Sequence, residues 1–296
     1  MLTALFIVAR IVANPVSNVF QKQLTQRSAN PLFIIGATDA LLALAVLPLL
    51  FGGAWPLALA PGFWTNMVIS AALAVASNVL LVYALQSADL SVLGPINAYK
   101  SVISLVLGVF LLGEIPAPMG AAGVLLIVAG SYFVVDRAPD QARRSALGQF
   151  FRDRGIQFRF AALAVSATEA IFLKRALLLS SPLITFIFWS ILGLPIAAAA
   201  IAVFERPRAG QEIALFRANW PTYLQLAATS GIMQLTSLLT FGKLQVGYSL
   251  ALFQLSTLIS VFLGYRYFQE GQIRKRLAGS LIMAAGAVLI AMQGKG

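Results

Sequence analysis

The chain is a succession of apolar runs of about 20 residues, separated by short breaks of glycine, proline, asparagine and charged residues. A helix of about 20 apolar residues crosses the roughly 30 Å hydrocarbon core of a bilayer. We therefore predict ten membrane-spanning helices. The predicted spans cover residues 3–22, 31–51, 63–86, 91–112, 117–135, 158–180, 182–204, 220–243, 247–268 and 275–293.

The composition places the chain in lipid. Apolar residues make up 59% of it and charged residues only 10%, whereas a soluble domain has roughly 25% charged residues. The net charge of +11 does not indicate nucleic acid, because Lys and Arg lie mostly in the short gaps between apolar runs. Such placement is typical of loops beside anionic lipid headgroups. We expect a lipid bilayer and a small-molecule substrate as partners, and no nucleic acid.

The chain contains no cysteine and no histidine. Thiolate nucleophiles, the usual zinc and haem ligands and the most common general base are therefore missing. We expect neither an enzyme nor a cofactor or metal site. An intramembrane enzyme or lipid-handling protein is the alternative, but it would need a nucleophile, an acid and a base facing one cavity. No P-loop lysine motif occurs, so ATP is not expected to drive the protein directly.

An internal repeat organises the spans. The longest connection separates five spans from five, and sliding the chain by 156 positions aligns like residues without a gap. The aligned pairs are Ser104 with Ser260, Gly108 with Gly264, Glu114 with Glu270, Gly123 with Gly279 and Gly130 with Gly286. Because five is odd, the second unit enters from the opposite side, as in the inverted repeats of secondary transporters.

These features predict an all-α membrane protein with ten transmembrane helices in two inverted five-helix repeats. The first repeat covers residues 1–136, a basic connecting loop covers 137–157, and the second repeat covers 158–296. A channel is the third class of function, but channels usually gather several subunits around an axis. Since the duplicated chain supplies its own two-fold relation, we expect a functional monomer.

The basic residues predict the orientation. Most of them fall on one side of the predicted membrane, and little beyond Lys174, Arg175, Lys243 and Lys295 falls on the other. The richer side carries Lys22, Arg27, Arg137, Arg143, Arg144, Arg152, Arg154, Arg206, Arg208, Arg217, Arg274, Lys275 and Arg276. The positive-inside rule places this side, with the connecting loop, in the cytoplasm. Both termini are then expected in the periplasm.

Short motifs at corresponding places carry a family resemblance. Leu112-Gly113-Glu114 closes the fourth span and Gln269-Glu270 closes the ninth, and a glycine-rich span follows each. In this the chain resembles the drug/metabolite transporter superfamily, its EamA-type exporters and, among those, the YddG-like amino acid exporters. The resemblance covers nearly the whole chain. Many members carry a Glu-Pro pair before the terminal Glu, whereas this chain has Lys100-Ser101 and Ser256-Thr257 there.

The resemblance implies a secondary transporter in the bacterial inner membrane. Such a protein exports small metabolites, with amino acids as the leading class, through a central cavity between its halves. Aromatic or broad-range amino acids are included in this expectation. Drugs or other metabolites such as nucleosides are the alternative cargo.

Polar side chains within the spans are the candidates for the site, because a charged or polar group at the bilayer centre costs a few kcal/mol unless it faces protein or water. In the first span, polar residues recur at helical spacing from Arg10 to Gln21. They either line a cavity or join helices by hydrogen bonds. The predicted substrate-binding residues are Asn14, Asn18, Asn78, Tyr83, Asn97, Tyr99, Lys100, Glu169, Trp189, Gln234 and Gln254.

Charge and symmetry distinguish some of these residues. Asn78 falls on Gln234 under the shift of 156 positions, so each half would contribute one amide. Lys100 and Glu169 lie deep in their spans and either pair with each other or bind the carboxylate and amino groups of a zwitterion. Asp39 is expected to cap or pair inside the bundle, with a proton-carrying role as the alternative.

Other residues are expected to act through packing or backbone shape. Tyr83, Tyr99 and Trp189 would form an apolar wall of the cavity. The hydroxyl of each tyrosine and the indole N–H of the tryptophan each need a hydrogen-bond partner when buried. Ser104 and Ser260 are expected to pack helices closely rather than to bind substrate. Pro95, after Gly94, should loosen the fourth helix or kink it permanently.

Overall fold

The computed structural model describes most of the chain as a bundle of helices. The described residues are 2–51, 59–100, 102–103, 118–134, 153–205, 209–244, 249 and 252–293. Within them all regular structure is helical, which confirms the predicted all-α class. The connecting loop up to residue 152 and the positions of Ser104, Gly108 and Glu114 lie outside the described residues.

Ten helices occur in the described part of the chain, and they follow the order of the predicted spans. They are α1 (Leu2–Gln26), α2 (Pro31–Phe51), α3 (Phe63–Ser87), α4 (Leu90–Ile96), α5 (Pro118–Val134), α6 (Arg154–Leu178), α7 (Pro182–Phe204), α8 (Ala209–Phe241), α9 (Ser256–Phe268) and α10 (Ile273–Gln293).

Local sequence signals explain several helix starts. The Asp153 side chain accepts a hydrogen bond from the Ile156 amide at 2.9 Å and caps α6. Ser181 caps α7 by accepting from the Ile184 amide at 3.3 Å, and Pro182 follows it. Proline suits the first helical position because its φ is already helical and that position needs no amide donor.

The outer surface of the bundle suits lipid. Helices α1, α2, α3, α6 and α7 are long and apolar enough to cross a membrane. Many large apolar side chains remain exposed, which would be unfavourable in water over so wide an area. Examples are Leu5, Leu44, Leu125, Val203, Phe204 and Phe262. The helices and their surface support the prediction of a multi-pass membrane protein.

Each helix packs mainly against a helix from the other five-helix group. The pairs are α1 with α8, α2 with α7, α3 with α6, α4 with α9 and α5 with α10. The α5 and α10 pair is antiparallel, because Gly123 lies against Gly286 while Gly130 lies against Gly279. A Cβ atom on Gly123 would lie 2.6 Å from the Gly286 carbonyl oxygen, so the two backbones are in direct contact.

The other pairs are antiparallel as well. In α1 and α8, for example, Ser17 meets Ser230 and Arg10 meets Ser237. The pairing is also unchanged when each helix of the first group is replaced by the corresponding helix of the second group, and the reverse. Under this exchange α1 becomes α6 and α8 becomes α3, so the pair α1 with α8 becomes the pair α6 with α3. The same exchange converts the Gly123 and Gly286 contact into the Gly279 and Gly130 contact.

In the described part of the chain, breaks interrupt two of the spans and one long helix. The fourth is interrupted by a turn at Asn97 and Ala98, just after Pro95, and the ninth by a turn at Gln254 and Leu255. Position 98 plus 156 is 254, so the two breaks overlap under the repeat shift. The third break is in α8, where Asn219 has φ −121° and ψ 18°. The part of α8 after Asn219 is the predicted eighth span.

Candidate substrate cavity between the two halves

A polar cavity of about 160 Å³ lies at the centre of the bundle. Helices α1, α2 and α3 supply one set of its walls, and α6, α7 and α8 supply another. Asn97 and Lys100 after α4, and Phe253 before α9, complete it beside the two helix breaks. Both five-helix groups therefore contribute side chains to one polar space.

Eight of the eleven predicted substrate-binding residues line this cavity. They are Asn14, Asn18, Asn78, Asn97, Lys100, Glu169, Trp189 and Gln234. Tyr83, Tyr99 and Gln254 are not among its lining residues. The Tyr83 ring stacks on Phe158 with centroids 5.4 Å apart, and the Tyr99 ring meets Phe160 edge-on at 5.0 Å.

Gln254 is 1% exposed although it does not reach the cavity wall. Its Oε1 atom is buried and has no hydrogen-bond partner in the described part of the chain. All three of these residues lie in a predicted span, so depth alone places them near the site. The rings of Tyr83 and Tyr99 pack against neighbouring aromatic rings instead, and Gln254 lies in the turn that interrupts the ninth span.

Four amides of the cavity have no hydrogen-bond partner in the described part of the chain. Among the described residues, Asn14, Asn18, Asn78 and Gln234 make no side-chain hydrogen bond. Hydroxyls and one arginine carry the bonds between α1 and α8 instead: Arg10 Nε donates to Ser237 Oγ at 2.7 Å, and the Ser17 and Ser230 hydroxyls lie 2.9 Å apart. The polar stripe of α1 therefore combines both expected roles.

The two deep charges of the prediction face the cavity without bonding directly. Ser70 Oγ donates to Glu169 Oε1 at 3.1 Å. Lys100 interacts electrostatically with Glu169, but within the described ranges it makes no hydrogen bond or salt bridge. Both groups thus keep hydrogen-bonding capacity directed at the cavity.

Asp39 also lines the cavity and is 6% exposed. Its carboxyl packs against Gly193 of α7, where an added Cβ would lie 2.9 Å from Asp39 Oδ2. No group in the described part of the chain donates a hydrogen bond to it. It neither caps a helix nor pairs with a residue there, in contrast to the sequence-based expectation.

Arg159 is a cavity residue that the sequence analysis missed. Its Nε donates to the Leu93 carbonyl at 3.2 Å and its Nη2 donates to Asn97 Oδ1 at 3.0 Å. Arg159 is 7% exposed and lies at the start of the predicted sixth span, next to the basic connecting loop. The sequence does contain a signal, since Arg159 lies just inside an apolar run. Because it follows the basic connecting loop directly, its charge does not stand out from the charges of that loop.

Buried polar atoms of three cavity residues have no partner among the residues that the structure describes: Arg10 Nη1, Gln21 Oε1 and Trp189 Nε1. The Arg10 guanidinium also lies over the Phe253 ring at 4.9 Å from its centroid. A buried donor or acceptor without a partner costs about 1–3 kcal/mol. Such atoms around a polar cavity suit a bound polar molecule or ordered water.

A second polar cluster lies near the C-terminal ends of α1 and α9 and the first residues of α4. Lys22 Nζ donates to Glu270 Oε1 at 2.8 Å, and Glu270 accepts from the amides of Leu90 and Ser91, also at 2.8 Å. Arg276 Nη1 lies 3.6 Å from Glu270 Oε2. We refer to Lys22, Leu90, Ser91, Glu270 and Arg276 as the end network.

The end network joins both five-helix groups. Burial by itself would raise the pKa of the Glu270 carboxyl, but hydrogen bonds from Lys22 and Ser91 and the charge of Lys22 outweigh it and hold that pKa below its ordinary value. Glu270 is therefore a carboxylate at neutral pH. It also caps α4, because its two oxygens accept from the first amides of that helix.

Antiparallel apolar helices around a central polar cavity indicate a multi-pass membrane protein. Residues 1–136 match the model of the EamA-like transporter family. This is a family of the drug/metabolite transporter superfamily and is not enzymatic.

A crystal structure of another protein superposes on this chain with a TM-score of 0.55 and 17% sequence identity, over 99% of each chain. At that identity the likeness shows the fold alone. The comparison with curated protein sequences gave no significant match.

Proposed function

We propose that the protein is a secondary transporter that exports small metabolites, with amino acids as the leading class, across the bacterial inner membrane. The central polar cavity carries this proposal, because both halves build it and four of its amides, Asn14, Asn18, Asn78 and Gln234, have no partners in the described part of the chain. A cavity sealed only by packing would bury those amides against each other. Here they face a space that a polar solute can enter.

The helix pairing supports an alternating-access mechanism. Each helix pair contains one helix from each proposed repeat, and the pairing is unchanged by exchange of the repeats. Transporters with inverted repeats bind their cargo near the midplane, often at broken helices. The breaks at Asn97 and Gln254 fall at overlapping positions of the two repeats and beside the cavity, which supports the inverted-repeat arrangement.

The size of the cavity favours a small metabolite over a drug. Pockets for drug-sized ligands have roughly 300–1,000 Å³, whereas this cavity has about 160 Å³. Opposite charges on Lys100 and Glu169 suit a molecule that carries both a carboxylate and an ammonium group. The substrate-binding residues of the proposal are the eight predicted residues that line the cavity, with Arg10 and Arg159 added.

Transport by the purified full-length chain in liposomes tests the proposal. Liposomes loaded with unlabelled amino acids should accumulate the labelled compound by exchange, well above protein-free liposomes. The same screen includes nucleosides and cationic drugs, with and without a pH gradient. If no amino acid is transported under any condition but a drug or nucleoside is, then that compound class, and not amino acids, is the cargo. No exchange of any compound would contradict transport itself.

A further inference from the structure

The charged side chains of the cavity leave it with an excess of positive charge. Arg10, Lys100 and Arg159 line it together with the two carboxyls of Asp39 and Glu169. Lys100 interacts electrostatically with both arginines as well as with Glu169. Unbalanced charge in a low-dielectric interior is unfavourable, so a ligand with negative charge would stabilise the occupied cavity more than a neutral one.

The three cations are not equally available to such a ligand. Arg159 already donates to the Leu93 carbonyl and to Asn97 Oδ1. Among the residues described, neither the buried Nη1 of Arg10 nor the Lys100 ammonium has a hydrogen-bond partner. Of the three, Arg10 and Lys100 are therefore the cations left to bind a ligand.

Trp189 adds a further free donor. It is 7% exposed, and its buried Nε1 has no hydrogen-bond partner in the described ranges. Indole and guanidinium groups only donate, so each needs an acceptor oxygen. A carboxylate supplies two such oxygens with a negative charge, and its bonds to charged donors are about twice as strong as neutral ones.

We propose that the cavity selects small carboxylate anions with a net charge of −1, held by Arg10 and Lys100 with Trp189 as a further donor. Acidic amino acids fit best among them, since Glu169 can also accept from their ammonium group. Neutral zwitterions and cations bind less well because they leave the excess positive charge unbalanced. This inference rests on the proposed transport function and specifies its substrate class.

A charge-matched uptake panel tests the selectivity. Liposomes containing the full-length chain are given labelled glutamate, lactate, leucine or lysine at equal concentration and pH 7, with the membrane potential clamped at zero. The expected result is that glutamate enters at least about tenfold faster than leucine or lysine, since each charge-assisted bond contributes about 1.5–3 kcal/mol. Lactate, which lacks the ammonium group, separates a general carboxylate site from an amino acid site.

Variants connect the selectivity to the two residues. Arg10→Gln and Lys100→Gln should each lower the ratio of glutamate to leucine uptake about tenfold. Arg10→Lys and Lys100→Arg should keep most of the ratio, because they keep the charge. Arg266→Gln and Lys243→Gln are matched controls, since both side chains are exposed and lie outside the cavity. The ratio is independent of how much variant protein folds.

The outcomes separate this inference from the transport proposal. Faster uptake of leucine or lysine than of glutamate and lactate would overturn the anion selectivity while leaving transport intact. An unchanged ratio in both Gln variants would equally overturn it. If no compound is taken up and none shifts the melting temperature of the purified protein, both the selectivity and amino acid transport are wrong.

Discussion

The Nε1 atom of Trp189 allows a test of whether this side chain binds substrate or only packs in the cavity wall. Trp189→Phe keeps an aromatic ring in the cavity wall but removes the only donor of the side chain. If Nε1 donates to the substrate, the KM for transport should rise about three- to tenfold, which corresponds to one hydrogen bond. The melting temperature should stay close to that of the unmodified protein, because Nε1 has no partner to lose among the described residues. Initial uptake rates and thermal unfolding measure the two quantities.

Trp64→Phe is the control for that experiment. Trp64 is 50% exposed and contacts Phe63 and Phe188 edge-on, away from the cavity. Its replacement should leave the KM unchanged. An unchanged KM in Trp189→Phe as well would assign Trp189 to packing alone.

Glu270 should make the stability of the fold depend on pH at the acid end. Its folded-state pKa is lowered from 4.5, so its ionisation stabilises the folded state above pH 4.5, and this contribution is lost as the pH falls through the lowered pKa. Glu270→Gln should cost about 3–5 kcal/mol at neutral pH, because the buried Lys22 loses its ion-pair partner while Arg276 keeps its ion pair with Asp89. The difference from the unmodified protein should shrink at acid pH.

Unfolding in detergent between pH 3 and pH 8 measures this difference. The variant Glu212→Gln would not serve as a control, because Glu212 is also buried and accepts hydrogen bonds from a backbone amide, that of Asn30. Glu205→Gln is more suitable, since Glu205 is only half-buried where α7 ends. Its replacement should change the stability at neutral pH less than that of Glu270. A constant difference for Glu270→Gln down to pH 3 would contradict the assignment.

At the scale of residues, the sequence predicts how deep a polar residue lies in the membrane, but not toward which neighbour its side chain points. Polarity within a span predicts Asn14, Asn18, Asn78 and Gln234, and the structure places all four on the cavity. The same reasoning includes Tyr83, which the helical phase of α3 turns toward Phe158 instead. The face of a helix that lines the cavity can be assigned only when the neighbouring helices are known, since every face of a central helix contacts either protein or cavity.

At the scale of helices, the glycines of α5 and α10 should control their packing. A Cβ on Gly123 would approach the Gly286 carbonyl oxygen to 2.6 Å. This oxygen belongs to the backbone of α10, which cannot adjust its position as a flexible side chain can. Gly123→Val should therefore destabilise the protein by about 1–3 kcal/mol, as overpacking usually does. Thermal unfolding of the purified variant in detergent measures the loss.

Gly210→Ala is the matched control, because a Cβ there meets no atom of the described residues within 4 Å. Since alanine favours a helix by about 1 kcal/mol over glycine, this variant should be neutral or slightly more stable. Equal melting temperatures for the two variants would mean that α5 and α10 separate readily, against the close contact seen between them.

Helix interruptions were only partly predictable from the sequence. Pro95 signals the break in the fourth span, and the turn follows it at Asn97. The break at Gln254 has no proline or glycine within the turn, so local propensity gives no sign of it. The first part of α8, before Asn219, was also missed, because it is too polar to resemble a membrane span.

At the scale of the whole molecule, the orientation is open to direct measurement. The chain has no cysteine, so one introduced cysteine gives an unambiguous label. Ser145→Cys in the connecting loop should react with a membrane-impermeant maleimide only from the cytoplasmic side. Ala60→Cys, in the connection between α2 and α3, should react only from the periplasm. The reverse pattern would invert the orientation.

The end network should set which side of the cavity is closed. Lys22 and Ser91 belong to the first half, and Glu270 and Arg276 to the second, so alternating access requires these bonds to break when this end opens. By the predicted orientation it is the cytoplasmic end. The double variant Lys22→Gln and Glu270→Gln removes both charges of its shortest ion pair together.

Losing that ion pair should favour the state open at this end by about tenfold or more, since one charge-assisted hydrogen bond contributes about 1.5–3 kcal/mol. A reporter cysteine at Ser166, which lines the cavity, should then react faster with a maleimide added from the cytoplasm. Lys174→Gln is the control: Lys174 Nζ donates to the Phe241 carbonyl at 2.6 Å and joins two helices of the same half. It should leave the reaction rate unchanged. Equal rates in the double variant and in the unmodified protein would show that other contacts hold this end closed.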